Sequence, residues 1–297
     1  MKDLPGYLTY RVFSAIFGVL PEPLMRRFGT GAGRLLGRLA KGRRQLATKH
    51  MRRVLGEAAS SEQVESAVDD MFASYGRYWA EVFWTRPRRV EQIFNATEVV
   101  NAEAIVRARD AGKGIILALP HLGNWEAAGP QTHHLGIPVL AVAEALPNQK
   151  IVDWFLKARG FLGIEVIIPG MHDNISGRLK KRLEEGGTIA LVTDRDIDGK
   201  GVEVEFFGEV TTMPAGPVSL SIRTEAPVIP VGAFFNPGKG HRFVVHDPVE
   251  IPSEGRLRER VALGTQNMAN IFESFIRQDP SQWHLFQPNW PTDRDSA

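Results

Sequence analysis

The chain of 297 residues contains no cysteine. Disulfide bonds, thiolate metal sites and a cysteine nucleophile are therefore excluded. Hydrophobic residues make up 43% of the chain and charged residues 24%, as is typical of a globular protein with a large buried core. The chain also lacks a fixed-period repeat and a linker rich in proline, glycine or serine. We therefore predict one main domain with an N-terminal helical extension.

Long apolar runs are missing as well. A membrane span needs ~18 or more nearly uncharged residues, but the nearest candidate, residues 7–20, is shorter and carries Arg11. No basic start leads into an apolar run and a small-residue cleavage site, so we predict no secretory signal peptide. We expect any attachment to a membrane to be peripheral.

Acidic residues are absent between Glu22 and Glu57, whereas that interval holds ten arginine and lysine residues. A block of this kind needs an anionic partner or abundant solvent, and the usual partners are nucleic acid or acidic lipid headgroups. The apolar residues of 24–42 lie near one helical face, and the apolar stretch 7–20 precedes them. This pattern is typical of a protein lying on a membrane surface, although two core helices with a solvated basic face would also explain it. We predict membrane-associating helices over residues 1–60 and an α/β domain over residues 61–297.

The middle of the chain alternates between short apolar runs and helical patterns. The predicted strands cover residues 114–119, 137–142, 164–168, 188–193, 202–207, 227–235 and 242–245. The predicted helices cover residues 62–84, 152–158, 174–185 and 256–278, with one more beginning near residue 125. The alternation predicts an α/β fold with a central, largely parallel β-sheet flanked by helices. Functional residues of such sheets gather at the carboxyl ends of strands, and both His121 and Asp194 come just after a predicted strand.

The segment 121–126 reads His-Leu-Gly-Asn-Trp-Glu. A histidine suits reactions such as acyl transfer, in which a hydroxyl must lose its proton, because the pKa of imidazole lies near neutral pH. Glu126 could fold back across the turn to hold the His121 ring, while the amides of Gly123 and Asn124 could face a developing oxyanion. The alternative is that His121 caps the turn and Glu126 is a solvated acid at the start of a helix.

Several other chemistries lack their motifs. No Gly-x-Ser-x-Gly elbow, P-loop or Gly-x-Gly-x-x-Gly segment is present, which argues against a serine esterase, nucleotide hydrolysis and dinucleotide binding. The histidines do not show the spacing of metal ligands, so we predict no metal.

A series of blocks carries a family resemblance. They are Tyr75–Trp79 with Glu81–Phe83, Leu117–Glu126, Arg159 with Leu162–Val166, Thr193–Asp196, Gly201–Gly208, Met213–Pro217 and Trp283–Trp290. In order and spacing these blocks resemble the His-x4-Asp/Glu acyltransferases. Within these, they are most similar to the branch of bacterial lipid A late acyltransferases and actinobacterial phosphatidylinositol mannoside acyltransferases. The resemblance runs from about Tyr75 to Trp290.

The resemblance implies a glycerolipid-acyltransferase-like fold and a reaction. A fatty acyl chain, palmitoyl, would pass from acyl-CoA to a mannose hydroxyl of a phosphatidylinositol mannoside, with His121 as general base and Glu126 as its partner. Arg159, Asp194, Asn124 and Arg195 would bind substrate. No cofactor is expected besides acyl-CoA as donor substrate, and the enzyme would lie on the cytoplasmic face of the cell membrane.

Two departures from the mannoside acyltransferases stand out. They carry Asp where this chain has Glu126, a position at which lipid A acyltransferases commonly have Glu, and they carry Glu where this chain has Asp194. The resemblance implies that Asp194 lies near His121. Arg195 and Asp196 would equally suit a buried structural salt-bridge cluster, and Arg159 would suit a helix C-terminus.

Two other functions stay open. A lipid A type acyltransferase would take its chain from acyl-CoA or acyl carrier protein. A nucleic-acid-binding protein would use the basic block and would be indifferent to loss of His121, but it leaves the α/β core unexplained.

Overall fold

The computed structural model describes residues 4–197 and 199–294. In this part of the chain the α-helices are α1 (Leu4–Val19), α2 (Glu22–Leu39), α3 (Lys41–Leu55), α4 (Ser61–Trp84), α5 (Val90–Asn95), α6 (Glu103–Asp110), α7 (Gly129–His134), α8 (Gln149–Phe161), α9 (Ile175–Glu184), α10 (Gly216–Thr224), α11 (Leu257–Gln278) and α12 (Pro291–Arg294). The strands are β1 (Thr97–Val100), β2 (Ile115–Leu119), β3 (Val139–Val142), β4 (Glu165–Ile167), β5 (Thr188–Val192), β6 (Val202–Phe206), β7 (Glu209–Met213), β8 (Val228–Phe235) and β9 (His241–Val245). Short 3-10 helices cover Pro87–Arg89, Trp125–Ala128 and Pro280–Gln282.

Seven strands form the central sheet in the order β1-β9-β8-β2-β5-β3-β4. All neighbours run parallel except β8 and β9, which form an antiparallel hairpin. The predicted α/β class with a largely parallel central sheet flanked by helices is therefore confirmed. Strand β6 lies outside this sheet, because it pairs with β7 in a separate two-stranded antiparallel ribbon.

The central strands are covered on both faces. All five residues of β2 and all eight of β8 are buried, which explains why these strands read as continuous apolar runs rather than as alternating patterns. Side chains of β2 alternate between two cores. Ile116 and Ala118 join the core that holds buried residues of α3, α9 and α11, and Leu117 joins the core that holds buried residues of α5 and α6.

Several elements were not predicted from the sequence. They are α3, α5, α6, α10, α12, β1 and β7. Helix α3 illustrates the reason: it is strongly basic, yet Ala47, Met51 and Val54 are buried in the main core. Few of its residues are apolar, so its helical period is hard to detect in the sequence.

Helix α2 packs very closely on α4. A Cβ atom on Gly33 would lie 2.1 Å from the carbonyl oxygen of Phe72, and one on Gly76 would lie 2.2 Å from the carbonyl oxygen of Gly29. Only glycine leaves room for this approach of the two backbones. The N-terminal helices are thus joined to the domain by backbone contact, while the predicted boundary at residue 60 stays a prediction.

The outer faces of α1 and α2 are apolar and exposed. The exposed large side chains there are Leu4, Leu8, Val12, Phe13, Ile16, Val19, Leu24, Phe28, Leu35, Leu36 and Leu39. Over residues 4–197 and 199–294, no helix combines the length and the apolar character needed to cross a bilayer. The membrane association of these helices stays a prediction.

Candidate active site

Two neighbouring strands bring His121 and Asp194 together. In the parallel register of β2 and β5, Leu119 lies opposite Val192, so each functional residue stands two positions beyond its strand. The His121 ring nitrogen Nδ1 lies 2.6 Å from Asp194 Oδ1, and the His121 backbone amide donates to Asp194 Oδ2 at 3.0 Å. The expectation that Asp194 lies near the histidine is therefore confirmed.

This contact determines what His121 can do. A carboxylate on Nδ1 favours the tautomer that carries its proton there, which leaves the lone pair on Nε2. The His121 side chain is 28% exposed, whereas that of Asp194 is fully buried. Within the described residues Nε2 has no hydrogen-bond partner, so it can accept a proton from a substrate.

The Asp194 carboxylate is held on several sides. The indole N–H of Trp283 donates to Oδ2 at 2.8 Å, and the Asn289 side-chain amide donates to the Asp194 backbone oxygen at 3.2 Å. Burial alone would raise the pKa of Asp194, but interactions with His121 and Trp283 outweigh burial and lower the pKa below its ordinary value. The ionised carboxylate can therefore stabilise an imidazolium on His121.

The C-terminal segment holds these donors in place. Asp293 Oδ2 accepts the backbone amides of Asn289 and Trp290 at 3.0 and 3.1 Å, and His50 Nε2 lies 3.1 Å from the same oxygen. Closer to the site, the His284 amide donates to the His121 carbonyl at 2.7 Å. Sequence reasoning recognised the Trp283–Trp290 block but gave its residues no role in the site.

Glu126 lies elsewhere than predicted. Its Oε1 accepts from Arg159 Nε at 3.2 Å and Nη2 at 2.9 Å, and from the Tyr78 hydroxyl at 3.2 Å. The expected hydrogen bond between Glu126 and His121 is wrong for this structure, because Asp194 already takes Nδ1. The 3-10 turn Trp125–Ala128 instead buries Glu126 against Arg159 of α8.

The environment of the Glu126–Arg159 pair keeps Arg159 positively charged and Tyr78 neutral. Burial alone would lower the pKa of Arg159, but the charges and hydrogen bonds of Glu126 and Tyr78 together outweigh burial and raise it. The pKa of Tyr78 is raised well above its ordinary value by burial first and by Glu126 next, so this hydroxyl remains a neutral donor. Arg159 is therefore part of a buried site rather than a simple cation at the end of α8.

Asn124 points into a buried polar cluster. Its Nδ2 donates to Glu81 Oε2 at 2.8 Å, and Glu81 also contacts His241 at 2.7 Å and Arg77 at 2.9 Å. Burial alone would raise the pKa of Glu81, but these partners lower it to about 2. The side chain of Asn124 thus ties the 121–126 turn to α4, and its predicted contact with substrate stays a prediction.

The predicted oxyanion role of the Gly123 amide is wrong for this structure. That amide donates to the Gln282 carbonyl at 2.9 Å. Gly123 has φ +57°, and a Cβ there would lie 2.4 Å from the Ala233 carbonyl oxygen. The glycine therefore permits a tight turn that carries His121 outward.

Arg195 and Asp196 do not form a mutual salt-bridge cluster. Asp196 accepts the amides of Gly199 at 3.0 Å and Gly201 at 2.8 Å, and so organises its own loop. Arg195 is partly exposed and has no ion pair within residues 4–197 and 199–294. It directly follows Asp194 in the chain, and its predicted binding of substrate stays a prediction.

Comparison with known proteins assigns the chain to a family. The family model described as bacterial lipid A biosynthesis acyltransferase matches residues 4–292. The chain belongs to this acyltransferase family. It is 33% identical over 288 residues to the phosphatidylinositol mannoside acyltransferase of Mycolicibacterium smegmatis, covering 96% of this chain and 91% of that protein.

Two further relatives place the chain within the family. The phosphatidylinositol mannoside acyltransferase of Mycobacterium tuberculosis strain H37Rv is 34% identical over 285 residues, covering 92% of this chain and 85% of that protein. The lipid A biosynthesis acyltransferase of Haemophilus influenzae is 23% identical over 277 residues, covering 91% of this chain and 83% of that protein. The predicted resemblance to this family is therefore confirmed, and the protein is an acyltransferase.

An apolar pocket of about 90 Å³ adjoins the Glu126–Arg159 pair of this acyltransferase. Glu126, Arg159 and Trp125 line it on one side. The sheet contributes small and aliphatic side chains, among them Leu117, Leu119, Val139, Ala141, Ala190 and Val231. A hydrocarbon chain binds favourably in such a pocket, because few groups of the lining would lose hydrogen bonds with water.

The described residues of this acyltransferase contain no cluster of side chains that could hold a metal. Within residues 4–197 and 199–294, no group of three or more histidine and acidic side chains has the geometry of a metal site. His284 lies beside the site, but burial first and the neighbouring His121 next lower its pKa to about 3. It is neutral at ordinary pH, and its Nε2 lies 2.9 Å from the Ser74 hydroxyl.

Proposed function

We propose that this acyltransferase moves a palmitoyl chain from acyl-CoA to a mannose hydroxyl of a phosphatidylinositol mannoside. The observation that carries the proposal is the His121–Asp194 pair, which leaves Nε2 without a partner among the described residues. The relatives named phosphatidylinositol mannoside acyltransferase are 33% and 34% identical, against 23% for the lipid A relative. This difference favours the mannoside acceptor.

The reaction follows from the geometry of the pair. His121 Nε2 takes the proton of the acceptor hydroxyl as its oxygen forms a bond to the thioester carbonyl carbon. Asp194 accepts the hydrogen bond from Nδ1 and stabilises the imidazolium. When the C–S bond breaks, the imidazolium returns its proton to the leaving thiolate, so that an ester and a free thiol result.

The Glu126–Arg159 pair positions substrate in this scheme. Arg159 donates to Glu126 from Nε and Nη2, and the Tyr78 hydroxyl interacts with both members of the pair. Glu126 and Tyr78 thereby fix the guanidinium, whose remaining N–H groups can donate to a polar group of the donor or acceptor. The adjoining apolar pocket would take the start of the acyl chain.

The N-terminal helices would bring the site to its lipid substrate. Exposed apolar side chains on α1 and α2 stand beside exposed arginines of α2, such as Arg27 and Arg38. An apolar face flanked by cations suits the boundary between acyl chains and anionic headgroups. We place the enzyme peripherally on the cytoplasmic face of the cell membrane.

The test is release of free thiol from palmitoyl-CoA by the purified protein, with and without phosphatidylinositol mannoside. We expect release to depend on the acceptor and to fall about 10²–10⁴-fold in His121→Ala, because a general base contributes that factor. His133→Ala is the matched control, since His133 is exposed on α7. Acceptor-independent release that is lost in His121→Ala would contradict the acceptor, and no release with any acyl donor would contradict the reaction.

A lipid A type activity is the second candidate. Glu126 favours it, because the lipid A acyltransferases commonly carry Glu at that position. The same assay with lipid A precursors as acceptors, and with acyl carrier protein as an alternative carrier, separates the two functions. Acyl transfer to the lipid A precursor alone would replace the mannoside assignment.

The nucleic-acid alternative is less favoured because several arginines of the basic block already have carboxylate partners, as in Arg34–Asp70 and Arg44–Asp69.

A further inference from the structure

A second, cationic pocket lies between α1, the end of α4 and α8. Its volume is about 290 Å³, and it is open to solvent. Arg11, Arg86 and Lys157 contribute positive charge, Ser14 and Thr85 contribute hydroxyl groups, and no acidic side chain lines it. A concave surface with charge of one sign favours an anionic ligand.

Arg86 provides a fixed charge in this pocket. Its Nη1 donates to the carbonyl oxygens of Phe83 at 2.9 Å and Thr85 at 2.7 Å, and its Nη2 donates to the backbone and side-chain oxygens of Ser14. Gly18 makes room for this arrangement, because a Cβ there would lie 2.3 Å from Arg86 Nη2. The guanidinium is thus held by neutral oxygens, and no carboxylate within the described residues neutralises it.

Further cations surround Arg86. Burial first, and then the like charges of Arg88 and Arg11, lower the pKa of Arg86. Arg88 lies in an adjoining surface pocket, where its Nη2 donates to the Gly18 carbonyl at 3.1 Å. The mutual repulsion of these arginines is a free-energy cost that a bound anion would remove.

The nearby acidic side chains are engaged elsewhere. Asp153, one helical turn before Lys157 on α8, accepts from Gln149 at 2.8 Å. Glu22, at the start of α2, contacts Arg26 at 3.5 Å and Gln92 at 2.9 Å. Neither forms an ion pair with a cation of the pocket within residues 4–197 and 199–294.

An apolar ridge runs directly beside the pocket. On α1, Arg11 and Ala15 line the pocket, and the neighbouring helical stripe exposes Val12, Ile16 and Val19 to 55%, 51% and 75%. A free anion has no apolar part and would leave that ridge exposed to water. An ester-linked acyl chain attached to the anion would cover it and remove its surface from water.

We propose that this pocket binds the phosphodiester group of an anionic phospholipid whose acyl chains lie against the exposed stripe of α1. Arg11 and Lys157 donate from opposite walls, while Arg86 contributes its fixed charge. The site rests on the proposed attachment to a membrane, but it is separate from the His121 site. It orients the enzyme on the lipid surface through one specific headgroup contact rather than through diffuse charge.

The experiment measures binding of the full chain to two kinds of vesicle that carry the same surface charge. One contains phosphatidylinositol in phosphatidylcholine, and the other contains oleate in phosphatidylcholine, so that the added charge is a phosphodiester in one and a carboxylate in the other. The variant is Arg11→Gln/Lys157→Gln. The matched control is Arg27→Gln/Arg38→Gln, which removes the same charge from exposed positions on α2.

Both double variants should bind either vesicle roughly 30-fold less tightly, since each cation near an anionic surface contributes a factor of about five. Beyond this common loss, only the pocket variant should lose about another tenfold on phosphatidylinositol vesicles, because it also loses charge-assisted hydrogen bonds. Equal losses for both variants on both vesicles would overturn the proposal in favour of diffuse charge.

Two further arms separate the possible failures. In one arm, inorganic phosphate replaces chloride at equal ionic strength. If phosphate abolishes the tighter binding of the wild type to phosphatidylinositol vesicles than to oleate vesicles, the site binds free phosphate and the lipid assignment is overturned. His121→Ala should bind both vesicles like the wild type, and the pocket variant should still release thiol from palmitoyl-CoA when phosphatidylinositol mannoside is supplied in detergent. If the pocket variant and its control lose binding to phosphatidylinositol vesicles equally while the wild type releases thiol, the pocket proposal alone is overturned. If the wild type releases no thiol, the proposed function alone is overturned.

Discussion

Charged side chains such as Asp194 are buried and paired at the carboxyl edge of the central sheet, whereas several on the outer surface of α1 and α2 are exposed and have no ion-pair partner among the described residues. At the sheet edge, Asp194 is fully buried and accepts hydrogen bonds from His121 and Trp283. On the outer surface, Arg27 and Arg38 are exposed, and no carboxylate within the described residues pairs with them. The first region is complete within one chain and suits chemistry, whereas the second lacks partners and suits association with an anionic, apolar surface.

The largest expected effect breaks the charge at the sheet edge. Asp194→Asn places an amide where a carboxylate accepts from His121 Nδ1, and so favours the wrong tautomer of the ring. We expect kcat for thiol release to fall about 10³–10⁴-fold, while binding to anionic vesicles stays unchanged. Steady-state kinetics and vesicle binding measure the two.

Asp153→Asn is the matched control, because this carboxylate is exposed on α8. It should leave kcat unchanged. A loss of activity below tenfold in Asp194→Asn would contradict the role of Asp194 as the partner of His121.

The next effect concerns the junction between the two regions. Gly33→Ala places a methyl group 2.1 Å from the Phe72 carbonyl oxygen, so α2 must move away from α4. We expect the free energy of unfolding to fall by about 1–3 kcal/mol, as for other overpacked sites. Chemical denaturation measures this change.

Gly31→Ala is the internal control on the same helix, because a Cβ there meets nothing within 4 Å. It should be neutral or should stabilise by about 0.5–1 kcal/mol, since alanine favours helix. Equal effects of the two substitutions would contradict the close contact of α2 with α4.

A smaller effect separates the two acids near the site. Glu126→Gln weakens the hold on Arg159 but leaves the His121–Asp194 contact in place. We expect kcat/KM to fall about 10–100-fold, the equivalent of about 1.5–3 kcal/mol for a hydrogen bond to a charged group, with an unchanged dependence of kcat on pH.

Glu165→Gln is the control, because Glu165 is exposed and its contact with Arg182 at 3.5 Å lies at the surface. If Glu126→Gln shifted the pH profile and lowered kcat as much as Asp194→Asn, Glu126 would be the partner of His121 after all.

The smallest effect concerns acid stability. The pKa of Asp194 is lowered in the folded chain, so its ionisation stabilises the fold above the unfolded pKa of about 3.9, and this contribution is lost as pH falls through the folded value. Trp283→Phe removes the indole donor and should raise the folded pKa of Asp194. Acid unfolding should therefore begin at a higher pH, which circular dichroism across a pH series can measure.

Trp79→Phe provides the comparison, because the Trp79 indole N–H has no hydrogen-bond partner in the described part of the chain. It should leave the onset of acid unfolding unchanged. An equal shift in both variants would mean that lost packing, rather than the hydrogen bond to Asp194, causes the effect.

Much of the fold could be predicted because strands at the centre of the sheet, such as β2 and β8, are apolar on both faces. The run at residues 114–119 is recognisable in the sequence, and the structure confirms it as β2. Helix α3 could not be predicted in this way, because its buried side chains are few among many arginines and lysines. Strand β7 was missed because its sequence, Glu-Val-Thr-Thr-Met, does not alternate between apolar and polar residues, and because it pairs with β6 outside the central sheet.

The sequence by itself determined that His121 and Asp194 follow strands, because apolar runs mark those strands and polar residues follow them. Only the tertiary structure decided which acid serves the histidine. Glu126 is five residues away along the chain and Asp194 is seventy-three, yet the parallel pairing of β2 and β5 brings the distant one to 2.6 Å. Glu126 is drawn instead to Arg159 and Tyr78, because α8 and α4 pack against its turn. A buried carboxylate bonds to whichever donors packing brings to it, and packing is a property of the whole chain.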